Sequence, residues 1–288
     1  MSQFDFTSIA DEVAAVQADA NVAKAGGGSY TPPPKGLARL RFIGYIELGK
    51  HVKKITGKPD KTEDQAWLIF ELSGKGYEPK VLDDGTKIPL RITVKLNKSL
   101  NEKATYYKLF KRMNYEQKAT HFIQLLGQGY LGNVGHFEIP AKEAGGQPTI
   151  IANFRDDSGN LTIRPPRVET MDEESGDVVI KAVPVPDAIG DQRCFVWDAK
   201  PEWFDKMWPS IYIPDDDEPA EEGKEKRSRN VYQNMVKAAL NFEGSPIHQY
   251  LLAKGADLGI PDAEDAKGSK GAEAQAPTDN DDPLNGIG

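Results

Sequence analysis

The sequence predicts a mainly β fold with added helices, built on a five-stranded Greek-key barrel. Residues 36–48, 65–73 and 90–97 each alternate apolar with polar side chains, which is the two-residue period of a strand. A helical run and two more strand-like runs follow them. Residues 1–24 suit a short helix with Ile9, Val13 and Val16 on one face, and a Gly/Pro linker at residues 25–34 separates them from the body. Small and charged residues dominate residues 259–288, and we expect both termini to be disordered.

The first three strands are predicted to have two different faces. One face is apolar in all three strands. The other carries cations and aromatic rings, namely Arg39, Arg41, Tyr45, Trp67, Arg91 and Lys95. If the strands share one sheet, these six side chains line a single surface. Gly44 interrupts the first strand at a point where a bulge or a sharp bend is expected.

This second face is typical of a surface that binds unpaired nucleic acid. Phosphates require positive charge, and splayed bases require flat apolar rings to stack on. The connection between the first two strands adds lysines beside the face, among them Lys50, Lys53 and Lys54. A sheet whose outer face is merely solvated is the alternative, but it does not explain Tyr45 and Trp67.

Charge is unevenly distributed along the chain. The formal net charge is −8, yet residues 35–130 hold 19 Lys and Arg against 10 Asp and Glu, a net charge of +9. Residues 262–288 hold seven acids against two lysines, a net charge of −5. A basic body with an acidic tail is compatible with nucleic-acid binding, although the average is acidic.

Turn and capping signals predict the next elements. Asp84-Gly85 predicts a hairpin turn between the second and third strands. The capping-box pattern from Ser99 to Glu102 predicts a helix over residues 101–113. A shorter helix is predicted to end at Gly127.

Residues 134–141 and 149–155 are predicted to be the fourth and fifth strands. Three strands, a helix and two strands are the element order of the OB-fold. Its second and third strands, with their loops, usually bind oligonucleotides. We therefore expect an elaborated OB-fold.

The chain divides into four predicted segments. They are an arm with a Gly/Pro linker (1–34), the OB-fold core (35–160), an elaboration with extra strands and C-terminal helices (161–258), and an acidic tail (259–288). In the elaboration, Trp203, Phe204 and Trp208 either stack on bases or cover an open end of the barrel. Packing is the favoured interpretation because Pro201 and Pro209 flank them.

Other chemistry is not indicated by the sequence. The single cysteine, Cys194, allows no internal disulfide, and the four histidines have no second ligand at metal spacing. We therefore expect no catalytic residue, no metal and no cofactor, and we expect that the protein is not an enzyme. No apolar run reaches membrane-spanning length, and the N-terminus lacks the layout of a signal peptide, which predicts a cytoplasmic protein without membrane contact.

Residues 41–51 and 96–103, together with the acidic C-terminus, resemble the single-stranded-DNA-binding proteins of tailed bacteriophages. The resemblance covers about residues 30–160 plus the tail. It implies an OB-fold that coats and protects unpaired DNA, without sequence specificity, during replication, recombination and repair. It also implies a tail that recruits replication or recombination proteins through Asp279, Asp281, Asp282, Leu284 and Ile287. The tail ends in Gly288 without the terminal aromatic residue of many relatives, which puts a matching partner pocket in doubt.

Two further expectations concern partners. Phe4, Phe6, Ile9, Val13 and Val16 form an apolar stripe in the arm that could mediate self-association along a DNA strand. The alternatives to single-stranded-DNA binding are an RNA-binding or strand-annealing protein and a protein-interaction module that does not bind nucleic acid.

Overall fold

The computed structural model of the protein describes residues 31–54, 59–140, 148–172, 176–214 and 228–255. Residues 1–30 of the predicted arm and linker, and the whole predicted acidic tail, lie outside the described residues. Strands hold 37% of the described structure and helices 19%, which confirms the prediction of a mainly β fold.

The described part of the chain contains ten strands, four α-helices and one short 3₁₀ helix. The strands are β1 (Gly36–Lys53), β2 (Lys61–Ser73), β3 (Lys80–Val81), β4 (Lys87–Ile88), β5 (Arg91–Asn97), β6 (Gly129–Ile139), β7 (Thr149–Asn153), β8 (Arg167–Met171), β9 (Val178–Ala182) and β10 (Arg193–Phe195). The helices are α1 (Thr105–Met113), the 3₁₀ helix (Phe122–Leu125), α2 (Pro201–Ser210), α3 (Val231–Lys237) and α4 (Pro246–Ala253).

The central sheet has the order β5–β2–β1–β6–β7, and each of these pairings is antiparallel. β6 pairs with the first part of β1, up to Arg41. From Gly44 to Ile46, the same edge of β1 pairs in parallel with β10. β5 and β7 share no hydrogen-bonded ladder, so the predicted closed barrel is not found among the described residues.

A bulge in β1 determines which face of the sheet carries each side chain that follows it. The ladder between β1 and β2 pairs Phe42 with Phe70 but Gly44 with Ile69, so Ile43 is an extra residue. One extra residue reverses the alternation of side chains beyond it. Tyr45 therefore lies on the same face as Phe42, and not beside Arg41 as the unbroken alternation predicts. The bend expected at Gly44 is confirmed, and it overturns the predicted position of Tyr45.

We call the face that carries Phe42, Tyr45 and Phe70 the inner face. It packs against α1 and the 3₁₀ helix, where Phe122 lies 5.5 Å from the Tyr45 ring and 5.0 Å from the Tyr106 ring between centroids. All of these rings are buried.

The opposite, outer face carries cross-strand rows that span β1, β2 and β5. One row consists of Arg41, Glu71 and Arg91, and another of Ile46, Trp67 and Lys95. Opposed residues in an antiparallel ladder point to the same side, so each row is continuous. The later part of the chain, from β10 to α3, covers much of this face.

Two local signals have different outcomes. The hairpin predicted at Asp84-Gly85 is confirmed, because β3 pairs with β4 and Gly85 adopts a φ of +81°. The helix predicted to begin at Asn101 begins instead at Thr105. The Ser99 hydroxyl accepts the N–H of Asn101, and the Asn101 amide oxygen accepts the N–H of Lys103. Both side chains therefore form local turns and do not cap a helix at Asn101.

Within the described residues, none of the helices has the length and apolar character needed to span a membrane.

Candidate nucleic-acid interface

The two rings predicted to stack on bases are buried. Trp67 is 6% exposed on the outer face, and the ring of Tyr232 from α3 packs edge-on against it at 5.9 Å. Tyr45 is fully buried on the inner face. The prediction that these two rings are exposed is wrong, because the bulge reverses Tyr45 and α3 covers Trp67. Neither ring is accessible to a base in this structure.

Arg41 holds another segment of the chain in place. We call residues 185–190 the strap. The Arg41 guanidinium donates to the carbonyl oxygens of Gly127 at 2.7 Å and Pro186 at 2.7 and 2.9 Å, and also to that of Val185. Its Nη2 lies 3.4 Å from the Asp187 carboxylate. The phosphate contact predicted for Arg41 therefore competes with bonds that the guanidinium already makes within the protein.

Glu71, in the same cross-strand row as Arg41, also binds the strap. The Glu71 carboxylate accepts the backbone N–H groups of Ile189 at 2.6 Å and Gly190 at 3.0 Å. A Cβ atom on Gly190 would lie only 1.9 Å from Nη2 of Arg91, so glycine allows the strap to approach this side chain. Arg41 and Arg91 are therefore positioned as structural groups beneath the strap.

Lys95 and Arg39 differ from these two arginines. The Lys95 ammonium lies 3.9 Å from the centroid of the Trp67 ring, which is a cation–π contact. Lys95 is half-buried and Arg39 is exposed at the far end of the sheet. A phosphate contact of either residue stays a prediction.

The last residues of β1 and the first residues of β2 form a basic hairpin, which we define as residues 50–54 and 59–62. Lys50 and Lys54 are exposed there and Lys53 is half-buried. The Lys50 carbonyl accepts the N–H of Leu240 at 2.8 Å, and its own N–H donates to the side chain of Asn241. The phosphate role predicted for these three lysines also stays a prediction.

An exposed aromatic ring occurs instead on α2. Trp203 is 49% exposed and lines an open groove of about 530 Å³ between α2, β10 and the 3₁₀ helix. We call this the Trp203 groove. Its lining consists of Ile123, Cys194, Val196, Glu202, Trp203, Lys206 and Met207. The volume lies within the range of small-molecule pockets in proteins.

The packing of α2 explains why Trp203 is exposed while its neighbour is not. Pro201 begins the helix. Phe204 is fully buried and stacks on Phe195 at 5.9 Å, and Trp208, four residues later, packs edge-on against the same ring. Phe204 and Trp208 pack into the fold as predicted. The packing predicted for Trp203 is wrong, and the barrel end that the three rings were predicted to cover is not found among the described residues. Trp203 points away from this contact and keeps half its surface in solvent.

Cations lie at the edges of the groove. The Lys200 ammonium is 5.7 Å from the centroid of the Trp203 ring, and Lys206 belongs to the lining. Glu202 is the acidic residue of the lining. The groove thus combines a stackable ring with two ammonium groups.

A buried ionic cluster fixes the 3₁₀ helix that forms one wall of the groove. The Glu47 carboxylate lies 2.9 Å from Nζ of Lys98 and 3.6 Å from Nε2 of His121, and it accepts the Tyr45 hydroxyl at 2.8 Å. It also accepts the backbone N–H of Trp197 at 3.2 Å. His121 caps the 3₁₀ helix, since its Nδ1 accepts the N–H of Ile123.

Glu47 stays ionised despite its burial. Burial acts to raise the pKa of its carboxyl, but hydrogen bonds from His121 and Lys98 and the Lys98 charge outweigh it and hold the pKa at about 2. Burial raises the pKa of Tyr106 to about 12 in the same cluster. The cluster is therefore a structural one that holds β1, the 3₁₀ helix and the backbone at Trp197 together.

Cys194 lines the groove as an unreactive group. Burial, and to a smaller extent the negative charge of Glu47, raise the pKa of its thiol to about 11. The thiolate is the nucleophilic form, so this thiol is a poor nucleophile at neutral pH. Among the described residues, no three side chains of His, Cys, Asp or Glu are grouped so that they could hold a metal ion.

Comparison of the chain with known protein families, with curated proteins and with solved structures found no match.

The sequence offered a weak signal for the groove. Phe204 and Trp208 share one helical face at a spacing of four residues, whereas Trp203 does not fall on it. If residues 201–210 form a helix, this spacing places Phe204 and Trp208 together on the packed side and Trp203 on another side. The other walls come from distant elements, and a local pattern does not reveal them.

Proposed function

We propose that this protein binds single-stranded DNA without sequence preference and coats unpaired DNA. The observation that carries the proposal is the half-exposed Trp203 ring, with the ammonium group of Lys200 at 5.7 Å and Lys206 in the same groove. Stacking on an aromatic ring is tolerant of sequence because every base has a flat face. The ammonium groups supply the charge that phosphates require.

The architecture and the sequence both support this proposal. The order of three strands, helix and two strands recurs as β1, β2, β5, α1, β6 and β7, and we propose an OB-fold that is open between β5 and β7. The resemblance to phage single-stranded-DNA-binding proteins points the same way. We further propose that the protein acts in the cytoplasm during DNA replication, recombination and repair, and that it is not an enzyme.

Replacing Trp203 with alanine is expected to weaken binding of a single-stranded oligonucleotide by about 1–3 kcal/mol, the usual contribution of one stacked base. Fluorescence anisotropy of a labelled oligothymidine measures the change. Trp203→Phe keeps a stackable ring and should retain most of the affinity. Phe137→Ala is the matched control, because Phe137 is an exposed ring of β6 outside the groove.

Two outcomes would contradict this proposal in different ways. A parent protein that binds no single-stranded DNA refutes the function. A Trp203→Ala variant that binds as tightly as the parent refutes the groove as the site. Higher affinity for RNA than for DNA of the same sequence would favour the RNA-binding alternative, because stacking alone does not distinguish the two sugars.

Lys200→Ala and Lys206→Ala are expected to act differently from Trp203→Ala. Loss of a phosphate contact on a single strand should reduce the slope of log affinity against log salt by about 0.7 per contact. Trp203→Ala should leave this slope unchanged, because stacking releases no counterion. Titrations at several salt concentrations measure the slope. Slopes equal to that of the parent would show that neither lysine contacts phosphate.

A further inference from the structure

Three neighbouring rows of the outer face contain buried donors that lack a hydrogen-bond partner. Arg91 and Thr93 follow one another on this face of β5, and Trp67 of β2 belongs to the next row. Within the described part of the chain, no partner is found for the buried Nε of Arg91, the Thr93 hydroxyl or the Trp67 indole N–H. Buried polar groups are normally paired, so three unpaired groups on adjoining rows require an explanation.

The three unpaired groups define the kind of ligand that would satisfy them. A guanidinium and an indole only donate hydrogen bonds, and a hydroxyl donates as well as accepts, so the ligand must carry acceptor oxygens. The same rows hold three cations, Arg41, Arg91 and Lys95, against one acid, Glu71. The ligand should therefore also be anionic. The phosphate backbone of a nucleic acid has both properties.

The strap covers the row of Arg91 without belonging to the core. None of its six residues is buried, Ile189 is 49% exposed and the Asp187 side chain is fully exposed. Its contacts to Arg41 and Glu71 are polar. A segment with few buried apolar contacts opens at a low free-energy cost. The carbonyl oxygens and the carboxylate that the strap presents to Arg41 are acceptors, as phosphate oxygens are.

The outer face adjoins the Trp203 groove through β10. The stretch of β1 from Gly44 to Ile46 crosses two of the three rows and pairs with β10. Cys194, in the middle of β10, lines the groove. A DNA strand that stacks on Trp203 can therefore continue across β10 to the outer face.

We infer that the strap is a lid, and that the outer face beneath it binds the phosphate backbone of single-stranded DNA when the strap lifts. Arg91 and Thr93 then donate to phosphate oxygens, and Arg41 exchanges the acceptors of the strap for those of the strand. This inference rests on the proposed function, because the ligand is the same strand. It adds a second contact surface and an internal competitor for that surface.

Hydrogen exchange of the full chain follows the lid directly. The N–H groups of Ile189 and Gly190 bond the Glu71 carboxylate while the strap is closed. Bound oligothymidine should therefore make the peptide of residues 185–190 exchange about threefold faster or more, because these bonds open. Unchanged or slower exchange in the complex overturns the lid. Faster exchange with inorganic phosphate alone would assign the face to a free ion and overturn the assignment to a DNA strand.

Arg91→Met tests the face separately from the lid. It keeps an unbranched apolar side chain and removes the unpaired donor. Affinity for oligothymidine should fall about tenfold, and the slope of log affinity against log salt should fall by about 0.7. The urea midpoint should be equal to or above that of the parent, because the unpaired Nε–H makes no bond to lose. A lower midpoint with unchanged affinity is the signature of a structural role and overturns the inference.

The matched control is Lys111→Met, which removes one positive charge at an exposed site of α1, on the inner side of the sheet, and should bind nearly like the parent. Equal losses for Lys111→Met and Arg91→Met would reveal a general effect of net charge and overturn the site. Trp203→Ala in the same assay separates the two proposals. Binding that depends on Trp203 but not on Arg91 overturns only this inference, whereas a parent that binds no single-stranded DNA overturns both.

Discussion

Replacing Trp67 with alanine is expected to lower the free energy of unfolding by about 3–5 kcal/mol, the usual loss when a buried tryptophan is truncated. The ring is 6% exposed, contacts the Tyr232 ring at 5.9 Å and carries the Lys95 ammonium at 3.9 Å. Truncation removes both contacts and leaves a cavity between the sheet and α3. Urea unfolding followed by circular dichroism measures the change.

Trp67→Phe separates the loss of packing from the loss of the indole. The indole N–H of Trp67 is buried, and no hydrogen-bond partner for it is found in the described structure. Phenylalanine keeps a ring against Tyr232 and Lys95 and removes that donor, so the loss should stay below about 1.5 kcal/mol. A Trp67→Ala variant as stable as the parent, but with weakened DNA binding, would mean that the outer face is open in solution.

Replacing Glu47 with glutamine is expected to lower stability most at neutral pH. The pKa of the Glu47 carboxyl is about 2 in the folded protein, below its ordinary value of 4.5. A lowered folded pKa stabilises the protein above pH 4.5, and this contribution is lost as the pH falls towards 2. Between pH 6 and pH 3, the difference in unfolding free energy between the parent and Glu47→Gln should therefore shrink by about 2 kcal/mol.

Denaturant unfolding of both proteins across this pH range provides the measurement. Glu116→Gln is the matched control. Glu116 pairs with Lys118 at 2.8 Å on the exposed surface, and such pairs contribute little to stability. Its difference from the parent should hardly change with pH. A Glu47→Gln difference that is the same at both ends of the range would show that the Lys98 and His121 contacts do not form in solution.

Local patterns in the sequence predicted the strands well. The strand predictions at β1, β2 and β5 and the turn at Asp84-Gly85 depend on neighbours in the chain, and they are confirmed. A cap of the same local kind begins α4 at Pro246, where the Ser245 hydroxyl accepts the N–H of His248. Such features follow from interactions across a few residues.

The assignment of faces and the position of the site depended on information that local patterns lack. Gly44 marked the bend, but only the ladder shows that Ile43 is the extra residue that turns Tyr45 inwards. Trp67 is buried because Tyr232, far along the chain, packs on it. The exposure of Trp203 likewise depends on which side of α2 meets Phe195. Long-range packing therefore decided which aromatic rings remain accessible.

The pairing of β1 with β10 has a consequence for the chain while it is being synthesised. The edge of β1 from Gly44 to Ile46 has no partner until Phe195 has left the ribosome, and Trp67 stays uncovered until Tyr232 follows. At translation rates of about 5–20 residues per second, each of these two segments waits roughly 10–30 s between its own synthesis and that of its partner. During that time the nascent chain presents an open strand edge and an apolar surface, which are the features that chaperones bind.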